Sequence, residues 1–260
     1  MPEGNNRPIT MTRVSPARDE PPLPLAPPVR HFYRTSSSAC PYIPGRTERK
    51  IVTDLSGRDA NAIYGTLSRA GFRRSHHLAY RPACPGCQAC VPVRVVVGEF
   101  VEGRSMRRVR TANEGLIFTA AQPVATAEQY RLFHRYQRSR HTESDMASMT
   151  FGDYRSMIED TPVLTRVIEL RDREGELKAA CLVDLLDDGI SAVYSFFETG
   201  DARRSLGTYL VLTLIDEARR RGLPYVYLGY WVANSPKMSY KLRFRPLEFL
   251  EQSGWRPIAD

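Results

Sequence analysis

The chain has 260 residues, 42% of them hydrophobic and 25% charged, enough to bury one large or two modest cores without disulfide or metal staples. No apolar run approaches the ~20 residues that cross a bilayer, and no basic start precedes an apolar leader, so a cytoplasmic protein without a membrane partner is expected. The net charge of +8 is uneven: residues 31–110 carry 14 Lys/Arg against 5 Asp/Glu and residues 201–245 carry 9 against 3, whereas residues 143–188 carry 5 against 12. Two basic blocks flanking an acidic one suit an anionic partner, nucleic acid first among them.

Residues 1–30 hold eight of the 19 prolines and show no apolar periodicity, which predicts a disordered tail. Ordered chain begins at His31-Phe32-Tyr33, and Cys40 to Gly45 (CPYIPG) reads as a tight loop. A helix is predicted from Ser56, with Ile63, Leu67 and Ala70 on one face and Gly71 as its left-handed stop. Phe72 to Tyr80 reads as one strand, and after a cysteine cluster Val91, Val93, Val95 and Val97 alternate as another. These elements make residues 31–101 a small N-terminal α/β domain. Residues 102–111, with Arg104, Arg107, Arg108 and Arg110, read as a basic linker.

Residues 112–250 read as a second domain. Tyr130, Phe133, His134 and Gln137 fall at helical spacing within Thr126 to Arg140, with arginines opposite, and a shorter helix follows near Tyr154 to Ile158. Strands are predicted at Val163 to Leu170, Leu177 to Leu186 and Ile190 to Phe197. The turns Arg173-Glu174-Gly175 and Asp187-Asp188-Gly189 make them an antiparallel meander. A helix from Ser205 to Arg221, stopped by Gly222, leads into a strand at Tyr225 to Tyr230. The chain then turns at Asn234-Ser235-Pro236 and interleaves Lys237, Lys241, Arg243 and Arg245 with Met238, Tyr240, Leu242 and Phe244, where a further helix is expected. Cations beside stackable rings suit a polyanion with exposed bases. Residues 251–260 read as a tail, and the class is α+β.

Three constellations carry chemistry. Cys84-x-x-Cys87-x-x-Cys90, with Cys40 in its own Pro/Gly loop, offers four thiolates to one ion; zinc and an iron-sulfur cluster both remain open. Arg203-Arg204-Ser205-Leu206-Gly207 opens a helix whose free amides favour an anion. The Arg-x-x-Gly-x-Gly/Ala loop of GCN5-related acetyltransferases is matched at Arg204 and Gly207, but Tyr209 stands where a small residue belongs. That departure leaves a coenzyme A dependent N-acetyltransferase as the alternative function, and a metal-stabilised RNA-binding protein as a third. Arg73, Arg74 and Ser75 can clamp a carboxylate. No Ser/His/Asp triad, Walker loop or nucleophile elbow occurs, so covalent catalysis has no support.

The stretches CPYIPGR, GFRRS, YRPACPGCQACVPVRV, VYSFFE, RRSLGTYL and YVYLGYWVANSPKMSYKLRFRPLE, spread over about residues 32 to 250, together resemble the arginyl/leucyl-tRNA-protein transferase family, and most closely its bacterial, leucine-transferring branch. The resemblance implies a GNAT-like (GCN5-related acyltransferase-like) second domain. It also implies transfer of leucine from Leu-tRNA to proteins beginning with Asp or Glu, marking them for degradation, with no cofactor required. Eukaryotic members carry a CxxC in the first loop and a Cys-Cys pair later; here Ile43 and Ala89 break both pairs, which puts that metal site in doubt. An aminoacyl ester is already activated, so the enzyme must position a neutral amine and stabilise an oxyanion. On this reading amides around Tyr194 to Phe197 face the ester, with Tyr230, Tyr240 and Tyr194 as catalytic candidates. Arg204, Gly207, Lys237, Lys241 and Arg243 are expected to bind tRNA, Arg73, Arg74 and Ser75 the acidic N-terminus, and Cys40, Cys84, Cys87 and Cys90 the metal. Cations from both halves are expected to meet at one cleft.

Overall fold

The computed structural model describes residues 30–140 and 144–258, and His31–Asp260 form one compact unit. The tail expected at 1–30 lies, apart from Arg30, outside the described residues. Six short strands open the unit: β1 (Tyr33–Arg34), β2 (Ser38–Ala39), β3 (Thr47–Glu48) and β4 (Lys50–Asp54), then, after helix α1 (Ala60–Arg69), β5 (Arg73–Ser75) and β6 (Leu78–Pro82). Four of them form an antiparallel sheet in the order β1-β4-β6-β5, and β2 pairs with β3. The single strand predicted at Phe72 to Tyr80 is a hairpin: His76 takes the left-handed conformation (φ 53°) and turns the chain back, so Arg73 pairs with Tyr80.

The remaining elements are β7 (Val91–Val96), α2 (Arg104–Thr111), β8 (Ile117–Ala121), α3 (Ala127–Arg140), α4 (Phe151–Glu159), β9 (Thr165–Arg171), β10 (Leu177–Leu185), β11 (Gly189–Phe197), α5 (Leu206–Arg220), β12 (Tyr225–Trp231), β13 (Leu247–Glu251) and β14 (Gly254–Pro257). The strands make one eight-stranded sheet in the order β14-β13-β7-β12-β11-β10-β9-β8. The predicted meander is β9-β10-β11. α5 is the crossover that a parallel β11/β12 pair requires.

Side-chain alternation sorts the core into layers. On β10, Ala179, Cys181, Val183 and Leu185 join α5 in the main cluster, while Ala180 and Leu182 face α3 and α4. A third cluster, with Leu55, Tyr64, Leu67 and Tyr227, seats α1 and the small sheet on the large one.

Four expectations change. The segments 31–101 and 112–250 share one sheet, because β7 lies between β12 and β13. The basic linker is mostly α2: Met106 and Val109 pack into the main core, and Arg110 bonds Glu102 at 2.5 Å and Asp216 at 2.6 Å. Four arginines in eight residues hid that narrow apolar edge. The helix expected beyond Pro236 is a single 3-10 turn at Ser239–Arg243, then β13; the tail at 251–260 contains β14, held to β13 by antiparallel pairing.

Candidate active site

The site begins at a break in the sheet. β11 and β12 pair only at Gly189–Ser191 with Tyr225–Tyr227, and then part. On its other side β11 slips register against β10: Val183 pairs Ala192 and Leu182 pairs Tyr194, so Val193 is an extra, bulged residue. One inserted residue inverts the alternation. Ile190 and Ala192 face α5 before the bulge; after it Phe197 does, while Tyr194 and Phe196 face α3. Arg73, reaching over from β5, caps the bulge. Its Nη2 donates to the carbonyls of Ala192 (2.5 Å) and Val193 (3.2 Å), and its Nη1 is buried without a partner among the described residues. β12 makes room with Gly229, whose φ is +77° and where a Cβ would lie 2.8 Å from Nη1.

A cleft of about 500 Å³ opens where the strands part. Ser195 and Phe197 line it from β11, Ser205 and Gly207 from the start of α5, and Tyr136 and Arg140 from the end of α3; Lys237, Tyr240 and Arg243 close it from the segment after β12. Ser205 enters α5 in the left-handed conformation, its hydroxyl bonding back to the Ala202 carbonyl at 3.2 Å. The helix supplies no carbonyl for the amides of Leu206 and Gly207, which leaves a positive dipole end at the cleft. Gly207 is needed because a Cβ would sit 2.8 Å from the Phe197 ring. That ring meets the Tyr136 ring at a tilt of 57°, their centroids 4.9 Å apart. Tyr240 is exposed on the cleft wall, and its phenol is a hydrogen-bond donor at neutral pH. Arg140, Lys237 and Arg243 form no ion pair among the described residues. The acids Glu198 and Asp201 are partly spent, one lying 3.6 Å from Lys178 and the other accepting from the Arg203 amide at 2.9 Å. The assembly can hold a phosphate-bearing chain end with its rings stacked, next to strand amides that have lost their β12 partners.

Of the residues singled out from sequence, the cleft gathers Gly207, Lys237, Tyr240 and Arg243. Lys241 is instead buried, its Nζ donating to the Tyr230 carbonyl; burial, and after it the Arg73 charge, lower its ammonium to about 7. An ammonium there cannot reach a phosphate. The Tyr230 hydroxyl is locked on the carbonyls of Gly71 (2.9 Å) and Tyr80 (3.3 Å), joining the two sheets, and burial raises its pKa. Tyr194 faces α3 and accepts from Gln137 Nε2 at 2.5 Å. Arg204 turns toward α2, donating to Asn113 Oδ1 at 3.1 Å. Arg74 is buried in a bidentate pair with Asp184, both bonds 2.8 Å, and Ser75 is an exposed residue bonded to its neighbour His76. Neither is positioned to clamp a substrate carboxylate in the cleft. The cations that line the cleft all come from 112–250, so the expected meeting of both basic blocks does not occur there: the first half contributes Arg73 from behind the strands. Tyr136, Arg140 and Ser195 were missed; the arginines at the end of α3 were the available signal, read only as a polar face.

Cys40, Cys84, Cys87 and Cys90 are neighbours, since burial and then the charges of the other three push the Cys90 thiol up to about 11. Cys84 Sγ already takes the Arg49 amide at 3.4 Å. Among the described residues no group of three or more His, Cys, Asp or Glu is arranged to hold a metal ion. Nor, among them, is any helix long and apolar enough to cross a membrane.

The model of the arginine-tRNA-protein transferase N terminus matches residues 38–108 and that of the C terminus residues 128–251. The aspartate/glutamate leucyltransferase of Paramagnetospirillum magneticum is 57% identical over 228 residues, covering 88% of this chain and 93% of that protein. The enzyme of the same name from Granulibacter bethesdensis is 51% identical over 229 residues, covering 88% and 86%. A crystal structure of FemX is similar in fold, with a TM-score of 0.51 and 9% identity over 80% of this chain and 71% of that one. That likeness is one of mixed α/β fold alone.

Proposed function

Because this chain belongs to the arginine-tRNA-protein transferase family and is an aminoacyltransferase, we propose that it moves leucine from leucyl-tRNA onto the α-amino group of proteins that begin with Asp or Glu. The observation that carries the reading is the cleft at the parted strands, where three cations and a helix N-terminus adjoin stackable rings. Lys237, Arg243 and Arg140 are suited to the phosphates of a tRNA 3′ end, and the amides of Leu206 and Gly207 to one phosphate more. Tyr136, Phe197 and Tyr240 offer faces to its terminal bases.

The ester needs little activation. The incoming amine attacks the carbonyl carbon, the carbonyl oxygen takes the negative charge, and the ribose oxygen leaves with a proton. Beyond Ser191 every second amide of β11 faces the gap rather than β12, and such a fixed donor is worth about 3 kcal/mol at a developing oxyanion. An α-amino group has a pKa of about 7.7 to 8.0, so a useful fraction is neutral at pH 7 without a strong base. Tyr240, protonated at that pH and lining the cleft, is our choice of donor to the departing oxygen. The reaction requires no cofactor, and the protein acts in the cytoplasm, marking its products for degradation.

The test is incubation of the purified protein with labelled leucyl-tRNA, arginyl-tRNA or acetyl-CoA and peptides starting with Asp, Glu, Lys or Ala. Leucine on the Asp and Glu peptides alone is the expected result. Acetylation with no aminoacyl transfer would replace the reading with the acetyltransferase one.

A further inference from the structure

Several arginines of this protein are paired with acids. Arg74 pairs with Asp184, Arg94 with Glu248, Arg110 with Glu102 and Asp216, Arg171 with Glu128 and Glu169, and Arg220 and Arg221 with Glu217. α3 carries a row that is not. Its buried side is Gln129, Leu132, Phe133 and Gln137; its outer side carries Arg131, Arg135 and Arg138, all exposed and none ion-paired among the described residues. The one acid within α3, Glu128, is taken by Arg171 at 2.8 Å. Spacing of i, i+4, i+7 puts the three guanidinium stems within about 60° of each other around the axis and spreads them over about 10 Å along it. Phosphates along one strand of a nucleic acid duplex rise about 3.4 Å per step, so the row spans about three of them.

The row also has a direction. The last turn of α3 enters the cleft through Tyr136 and Arg140, and Ser139 Oγ lies 3.0 Å from Thr199 Oγ1 on the cleft rim. A tRNA whose 3′ end occupies the cleft must lead its double-helical stem out past this rim, and Arg138, Arg135 and Arg131 recede from it in order. Resting on the transfer reading above, we propose that the outer face of α3 is the track on which the acceptor stem of the aminoacyl-tRNA lies. It reads backbone charge rather than sequence, since three exposed guanidiniums on a convex helix face offer no pocket for a base edge.

The experiment compares KM for full-length leucyl-tRNA with KM for a leucyl-oligonucleotide of the 3′ terminus, too short to leave the cleft. Arg131→Glu/Arg135→Glu/Arg138→Glu raises the first relative to the second by at least ~10-fold, and the slope of log KM against log salt for full-length tRNA falls by about 2. The Arg→Gln triple variant moves both in the same direction by less, which guards against a folding defect in the first. Arg34→Glu/Arg58→Glu/Arg256→Glu, an equal charge change at exposed positions elsewhere, leaves the ratio of the two KM values within about threefold. An unchanged ratio in the α3 variants, an equal shift in the control, or a raised KM for the acceptor protein in place of the tRNA overturns the track while leaving the transfer reading intact. A wild-type protein that transfers leucine from neither donor sinks both.

Discussion

Arg74 was read from the sequence as part of a carboxylate clamp for the substrate, and the structure gives it a different carboxylate. Its Nε and Nη2 hold the two oxygens of Asp184 at 2.8 Å, its Nη1 donates to the His76 carbonyl at 2.9 Å, and the side chains of the pair are 1% and 0% exposed. Replacing Arg74 by Met leaves the Asp184 carboxylate buried with Thr165 Oγ1, at 2.8 Å, as its remaining side-chain donor. Removing one partner of such a pair costs about 3–5 kcal/mol. In a unit of this size each kcal/mol lowers Tm by roughly 2–4 °C, so a fall of about 6–20 °C is expected. The double variant Arg74→Met/Asp184→Leu removes both charges. Thr165 Oγ1 keeps its bond to Thr161 Oγ1 at 2.6 Å, so no hydroxyl is orphaned, and stability should return to within about 2 kcal/mol of the wild type. Urea unfolding of the wild type, both single variants and the double variant gives the coupling directly. Discrimination between Asp- and Ala-initiated peptides is measured on the same samples. An Arg74→Met protein of wild-type stability that no longer prefers Asp would refute this assignment and restore the clamp.

Tyr230→Phe removes the donor to the Gly71 and Tyr80 carbonyls and should cost about 1–3 kcal/mol in urea unfolding with kcat within about threefold; a large fall in kcat at unchanged stability would return Tyr230 to catalysis. Gly207→Ala pushes a methyl group into the Phe197 ring, so a loss of about 1–3 kcal/mol and a raised KM for the aminoacyl-tRNA are expected; wild-type KM would mean that the helix start does not touch the donor. Lys241 titrates near 7 in the fold and near 10.5 when unfolded, so between those values the unfolded chain holds the extra proton. Its penalty is therefore full below pH 7 and is relieved as pH rises, by up to about 1.4 kcal/mol per pH unit. Stability measured from pH 7 to 9 should climb more steeply in the wild type than in Lys241→Met, and parallel profiles would disprove the buried ammonium.

Local elements were legible because local chemistry sets them. Gly71, Gly175 and Gly222 stand at φ of 84°, 86° and 69° where a helix stop, a hairpin turn and another helix stop were read. The apolar runs of β9, β10 and β11 fixed the meander. Strand partners across the chain were not legible, because nothing within Val91–Val96 says that it will lie between β12 and β13. The same limit applies to the basic residues. Arg73 and Arg74 are adjacent on one strand and must point to opposite faces, yet both meet partners that lie over 100 residues away. Lys237, Lys241 and Arg243 share one short segment. A 3-10 turn at Ser239–Arg243 points Lys241 inward and leaves its neighbours at the cleft, a choice that depends on where the Tyr230 carbonyl happens to be.

The cleft depends on strands that do not pair, and unpaired strand backbone in a protein interior is costly unless something else satisfies it. Val193 supplies part of the answer by bulging, which tilts its carbonyl and that of Ala192 off the ladder. Arg73 supplies the rest, because one guanidinium caps both oxygens and keeps β12 from closing on β11. Gly229 completes the arrangement, since any side chain there would occupy the space of the guanidinium. The small sheet is therefore part of the architecture of the cleft although none of its residues lines it. It brings in β5, and β5 carries the cation that holds the strands apart, so the amides left facing the gap are available to an ester carbonyl.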